Sequence, residues 1–75
     1  MGTLRTLTLD SNDIGQILDG LRCRADNWRE TAEYLETGHT SRHDFVVEEC
    51  SDAHEAQAIA DHYERIITSI KSQLP

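Results

Sequence analysis

Histidine and cysteine side chains near the middle of the chain are the residue types best suited to chemistry. His39 and His43 are four positions apart, as are Cys50 and His54. On a helix, residues four apart point to the same side, which suits two ligands of one zinc ion. These four residues are the candidate metal ligands, and one interpretation of the chain is a small zinc-binding or thiol-dependent protein.

The same residues support a simpler interpretation, which we favour. Both pairs straddle a predicted loop or helix boundary, where the side chains need not point to the same side. The sequence also lacks the recognised zinc-binding pattern of two close cysteines followed by two close histidines. We therefore expect solvent-exposed histidines, with Cys50 as a small apolar side chain packed beneath the second predicted helix. Neither a metal nor another cofactor is expected.

Cys23 is a further candidate nucleophile, because Arg22 and Arg24 flank it and positive charge favours the reactive thiolate. No partner base can be assigned to it, and a helical hairpin offers no evident oxyanion hole. Phosphate-binding loops, dinucleotide-binding glycine patterns and helical zinc-protease signatures are also absent from the sequence. We therefore expect a protein without catalytic activity.

Net charge limits the classes of partner. The 75 residues include 14 acidic and 7 basic side chains, for a formal charge of −7. Direct binding to nucleic acid or to an anionic membrane is therefore not expected, since both need an excess of lysine and arginine. No apolar run exceeds three residues, so neither a membrane span nor a secretory signal is predicted. We expect a cytoplasmic protein with two free thiols.

The acidic side chains form two rows that suggest a binding surface. One row follows the outer half of the first predicted helix, and the other crowds the start of the second. Such rows could bind a basic surface on a partner protein. They could also imitate the phosphates of a nucleic acid and block a basic groove, or they could serve solubility alone. The candidate partner contacts are Glu30, Glu33, Glu49 and Asp52.

A long first helix is predicted over about residues 11–37. Capping side chains at positions 10–13 precede it, and Gly38 suits a left-handed cap at its end. Gly20 interrupts the helix and would permit a close crossing or a slight bend. The apolar stripe consists of Ile14, Leu18, Leu21, Ala25, Trp28, Ala32 and Leu35.

A second helix is predicted over about residues 52–74. Asp52 and Glu55 have the spacing of a capping box, with aspartate in place of serine or threonine. Segments 3–9 and 45–50 have the composition of short extended or β segments, which could pair as a small sheet. The apolar stripe consists of Ala56, Ala60, Tyr63, Ile67, Ile70 and Leu74.

These elements predict a mainly α fold with one domain over residues 1–75. Packed as an antiparallel hairpin, the two helices cover each other's stripes. The stripes are wide for a single pair of helices, and so small a chain has a marginal core, so we expect a homodimer that forms a four-helix bundle. The favoured function is an adaptor, regulator or inhibitor that binds itself and one unidentified protein.

Overall fold

The computed structural model describes residues 2–39 and 47–75, in which two helices pack against each other. α1 spans Ser11–Thr37 and α2 spans Ala53–Ser72. The prediction of a mainly helical hairpin is therefore confirmed. Within the two described stretches, neither helix has the length and apolar character needed to cross a lipid bilayer.

α1 begins where the capping side chains predict. Asp10 is the N-cap, and its Oδ1 accepts a hydrogen bond of 2.8 Å from the backbone N–H of Asp13. The backbone of Asp10 is extended, with φ −78° and ψ 169°, while its carbonyl oxygen accepts from the N–H of Ile14 at 3.1 Å. The side-chain bond satisfies one of the N–H groups that every helix start leaves unpaired.

α1 ends at the predicted glycine. Gly38 has a φ of 78°, a left-handed conformation that glycine adopts without the steric penalty of a Cβ atom. Its N–H donates to the carbonyl oxygen of Tyr34 at 2.7 Å. The hydroxyl of Thr37 donates to the carbonyl oxygen of Glu33 at 2.8 Å and accepts from the N–H of His39 at 3.2 Å. The last turn is therefore closed by local hydrogen bonds.

The predicted capping box starts α2, with a shift of one residue. Asp52 Oδ1 accepts from the N–H of Glu55 at 2.8 Å, and Glu55 Oε2 accepts from the N–H of Ser51 at 2.9 Å. The return bond thus reaches the residue before the N-cap instead of the N-cap itself. Hydrogen bonding from Ser51 lowers the pKa of Glu55. Asp52 precedes the helix, which ends at Ser72, two residues before the predicted end.

The helices run antiparallel. Near the start of α1, Ile17 shares a groove with Ile70 from the end of α2. At the opposite end, Glu36 from the end of α1 shares a second groove with Ala53 from the start of α2. Each helix end therefore lies beside the opposite end of the other helix.

The hairpin has two ends with different surroundings, and we name each half by what lies at its end. The terminal half consists of residues 2–24 and 64–75, which include the segment before α1. The loop half consists of residues 25–39 and 47–63, which include the end of α1 and the segment that leads into α2.

The buried core lies mainly in the loop half and consists mostly of small side chains. Trp28 is 7% exposed and belongs to one cluster with Ala32, Ala56 and Ala60. Among the described residues of the terminal half, Ile67 is the buried apolar residue. The centres of the two predicted stripes are therefore confirmed as the contact between the helices.

The ends of the stripes are more exposed than the apolar pattern predicts. Leu35 is 42% exposed and Leu74 is 40% exposed. Thr31 lies outside the pattern and yet is fully buried, and its Oγ1 accepts a hydrogen bond of 3.2 Å from the backbone N–H of Glu48. Periodicity identifies apolar residues, so it does not reveal a buried polar residue with a distant partner.

The predicted segments 3–9 and 45–50 are not β-strands in the parts that the structure describes. Residues 3–9 form neither helix nor strand, and their backbone groups make no hydrogen bond to a described residue. Residues 47–50 contain no strand, and residues 45 and 46 lie outside the described part of the chain. An isolated pair of short strands is marginally stable at best. A composition typical of strands is therefore not sufficient to make these segments form a sheet.

Gly20 does not mark a close crossing of the helices, which was one of the two roles expected for it. A Cβ atom added at Gly20 would have no neighbouring atom within 4 Å, and the residue is exposed. The space beside this part of α1 is therefore open.

Candidate functional site

The candidate metal ligands do not form a cluster in the described part of the chain. His39 is exposed directly after the cap of α1, and His54 is exposed in the first turn of α2. Cys50 lies in the segment before α2, and His43 is outside the described residues. Among residues 2–39 and 47–75, no group of three or more His, Cys, Asp or Glu side chains could hold a metal ion.

Cys50 packs against the apolar core, as predicted. It is half-buried against the cluster that contains Trp28, and its Sγ donates to the carbonyl oxygen of Asp52 at 3.6 Å. Burial raises the pKa of the Cys50 thiol, and the carboxylates of Glu55 and Asp52 raise it further. A thiol with a raised pKa stays protonated near neutral pH and is a poor nucleophile.

Cys23 is an exposed free thiol on α1. It lines a shallow groove with Asp26, Arg29 and Glu30, and Arg29 Nη1 donates to Asp26 Oδ1 at 2.9 Å. The described lining of this groove contains no imidazole, so a cysteine–histidine pair is not assembled there.

The two halves of the hairpin differ sharply in charge. The described residues of the loop half carry nine acidic side chains and one basic side chain, for a formal charge of −8. Those of the terminal half carry four acidic and five basic side chains, for a formal charge of +1. The acidic character of the chain is thus confined to one end of the hairpin, because the acidic residues cluster mid-sequence and the hairpin folds that stretch into one half.

Glu48 belongs to the acidic row at the start of α2, but its carboxylate is held internally. Arg24 Nη1 lies 2.7 Å from Glu48 Oε1, and Asn27 Nδ2 donates to the same oxygen at 2.8 Å. The backbone N–H of Glu48 donates to Thr31, as described above. Three residues of α1 therefore fix the segment that leads into α2, and this carboxylate is already neutralised.

Trp28 is a core residue rather than a platform for stacking bases. Its ring is buried, and the guanidinium carbon of Arg24 lies 5.9 Å from the ring centroid. The Tyr63 side chain raises the pKa of Arg24. Trp28 Nε1 is buried and has no hydrogen-bond partner among the described residues. The indole thus contributes through packing and through its contact with a cation.

Glu64 of α2 joins the two helices through arginines of α1. Arg29 Nη2 lies 2.7 Å from Glu64 Oε1, and Arg22 forms an ion pair with the same oxygen. The hydrogen bond from Arg29 lowers the pKa of Glu64, with a smaller contribution from Arg22. These side chains are partly exposed, so the pairs orient the helices more than they stabilise them.

The four candidate partner contacts have different surroundings. Asp52 caps α2, and Glu30 is half-buried beside Arg29. Glu33 and Glu49 are exposed, and their carboxylates form no ion pair with a described residue. These two glutamates, both in the loop half, are the candidates with charge still available to a partner.

An apolar groove in the terminal half was not anticipated from the sequence. Its volume is about 480 Å³, and we call it the terminal groove. The leucines before α1 belong to a predicted extended or β segment, and without a strand there they are exposed beside the groove. The apolar lining is formed by Leu7, Leu9, Ile14, Ile17, Ile70 and Leu74.

Known proteins give no further guide to the site. No protein-family model, curated protein or solved structure matches this chain. The geometry and charge of the hairpin therefore carry the functional argument.

Proposed function

We propose that this protein is a small non-catalytic module of the cytoplasm that binds a basic surface on a partner protein with its loop half. The segregation of charge carries the proposal. The loop half has a formal charge of −8 and the terminal half a formal charge of +1, so the charge distribution is strongly asymmetric. A basic partner is therefore attracted to the loop half. Such a field increases association rates and orients the encounter.

Contacts within the hairpin narrow the surface that a partner would use. Glu48 is paired with Arg24, while Asp52 and Glu55 are engaged in the start of α2. The outer face of α1 keeps exposed carboxylates at Glu33 and Glu36. A contact centred on the end of α1 and reaching Glu49 therefore fits better than two continuous acidic rows imitating a nucleic acid.

Self-association is part of the proposal. The buried apolar residues of the described chain include only two large side chains, Trp28 and Ile67, and the others are alanines. A core of this size is marginal for one small domain. A homodimer, as a four-helix bundle, would cover further apolar surface.

The observations on thiols and histidines favour binding over the alternative of a metal- or thiol-dependent protein. The pKa of Cys50 is raised, and both cysteines are free, as is usual in reducing compartments. Elemental analysis of the purified protein addresses the alternative directly, since about one zinc per chain would support a metal site.

Matched charge reversals on α1 test the acidic surface. Glu33→Lys and Asp19→Lys change the net charge equally, and both residues are exposed on the same helix, in the loop half and the terminal half respectively. Proteins captured from host cells by wild type and by both variants are compared by quantitative mass spectrometry. The expected partner is retained by wild type and by Asp19→Lys, and is depleted with Glu33→Lys.

Association rates with that partner then decide the mechanism. We expect Glu33→Lys to slow association roughly tenfold at low salt, and Asp19→Lys to have a much smaller effect. Raising salt from about 0.05 to 0.5 M should slow the wild type too, because the screening length falls from roughly 14 to 4 Å. If the two variants slow association equally, or if the association rate does not change with salt concentration, the acidic binding surface is refuted.

A further inference from the structure

Large apolar side chains are exposed around the terminal groove. Leu4 is 97% exposed and Leu7 is 79% exposed, although both are aliphatic. Ile17 and Leu74, on the two walls of the groove, are 42% and 40% exposed. One end of the hairpin therefore presents a concave apolar surface that includes the exposed Leu7, together with the fully exposed Leu4 just before it in the chain.

The chain as a whole exposes more surface than a compact monomer of its mass. The chain exposes 5926 Å², whereas a folded chain of 8.5 kDa exposes about 4,650 Å² by the scaling of monomeric proteins. The excess of about 1,300 Å² is larger than the roughly 800 Å² that each partner contributes to a standard stable interface. The surface available is thus sufficient for a stable dimer.

The charge at this end favours a second copy as the occupant. The loop half carries almost all the negative charge, so two copies meeting there would repel each other. The terminal half has a formal charge of +1, and Arg5 and Lys71 lie at the same end as Asp10 and Asp13. Two copies can therefore meet through their terminal halves while their acidic halves point apart.

We propose that the terminal groove is the self-association surface, and that Leu4 and Leu7 of each copy pack into the terminal groove of the other. A two-fold axis satisfies this arrangement, because each copy then both provides the leucines and receives them. The inference rests on the homodimer proposed above and assigns its interface, with the helices of the two copies meeting through their terminal halves and not along the full length of a four-helix bundle. It leaves the acidic loop halves exposed at opposite ends of the dimer, each free to bind a partner.

Sedimentation over a micromolar concentration series tests the interface. Wild type should sediment as a dimer, with twice the mass of the 8.5 kDa chain. Leu4→Ser/Leu7→Ser should raise the dissociation constant at least about a hundredfold, since symmetry removes four leucine contacts from each dimer. Both leucines are exposed within one chain, so the helical circular dichroism signal should not change.

A matched pair on α1 locates the interface. Ile17 and Leu35 are both 42% exposed, but Ile17 lines the terminal groove and Leu35 lies in the loop half. Ile17→Ser should weaken the dimer as the leucine variant does, and Leu35→Ser should leave it intact.

The possible results separate the two proposals. A wild-type monomer would overturn both the dimer and this interface, while the acidic surface could still bind its partner. A dimer that survives Leu4→Ser/Leu7→Ser, or that is lost only with Leu35→Ser, would overturn the interface and keep the dimer. Loss of dimer in the terminal variants, with partner binding by the loop half retained, would support both.

Discussion

The two halves of this hairpin differ in where their large apolar side chains lie. In the loop half, alanines allow the helices to pack closely around Trp28, and charged and polar groups surround that core. In the terminal half, large aliphatic side chains line an open groove, and Ile67 is the buried apolar residue among those described. Large aliphatic side chains around a groove form an exposed apolar patch, and such patches commonly mark interaction surfaces. The loop half thus buries its core within the chain, whereas the terminal half leaves several large apolar side chains at the surface.

Charge divides the molecule along the same line. The loop half, which contains most of the buried core, carries the negative charge, and the terminal half, which contains the exposed leucines, is nearly neutral. Binding a basic partner and associating with a second copy would therefore use different ends of the hairpin. Neither contact would obstruct the other.

The largest expected effect comes from removing the centre of the loop-half core. Trp28→Ala should lower the free energy of unfolding by about 3–5 kcal/mol, because it leaves a cavity where the largest buried side chain packs. Urea denaturation measures the change. Trp28→Phe is the control, and it should cost less because it keeps an aromatic ring and leaves a smaller cavity, while the N–H that it also removes has no described partner. A Trp28→Ala variant as stable as wild type would place the stabilising core elsewhere.

A smaller effect is expected where the segment before α2 attaches to α1. Thr31→Val should cost about 1–3 kcal/mol, since the backbone N–H of Glu48 loses its acceptor. Thr31→Ser keeps the hydroxyl and should cost less. Amide hydrogen exchange adds a local measurement, because the amide of Glu48 should exchange faster in Thr31→Val than in Thr31→Ser. Equal exchange in both variants would mean that this bond does not hold the segment.

The smallest expected effect is a gain in stability within the terminal half. Gly20→Ala should stabilise the protein by up to about 1 kcal/mol, because alanine is the better helix former and the added methyl has open space. Gly38→Ala is the contrasting control and should destabilise the protein, since φ is 78° there. Thermal melting measures both. A lower melting temperature for Gly20→Ala would mean that the space beside Gly20 is not open.

Local signals in the sequence determined the helices and their ends. Asp10, Asp52 and Gly38 act through hydrogen bonds that span at most four residues, so their effect can be predicted from spacing alone. The apolar periodicity likewise identified the centres of both contact faces, including Trp28 and Ile67. The acidic charge and its position in the middle of the chain were visible in the sequence as well.

Only the tertiary structure decided which of those features become a site. Glu48 is neutralised by Arg24, which is 24 positions away, so spacing could not distinguish it from Glu33 and Glu49, whose carboxylates form no ion pair with a described residue. The groove depends on how far the helices separate at the end where Ile17 faces Ile70, which apolar periodicity does not specify. The charge is segregated because the antiparallel packing of the helices places the end of α1 beside the start of α2, and both stretches are acidic. Contacts between distant residues depend on helix packing, and packing is a property of the whole fold.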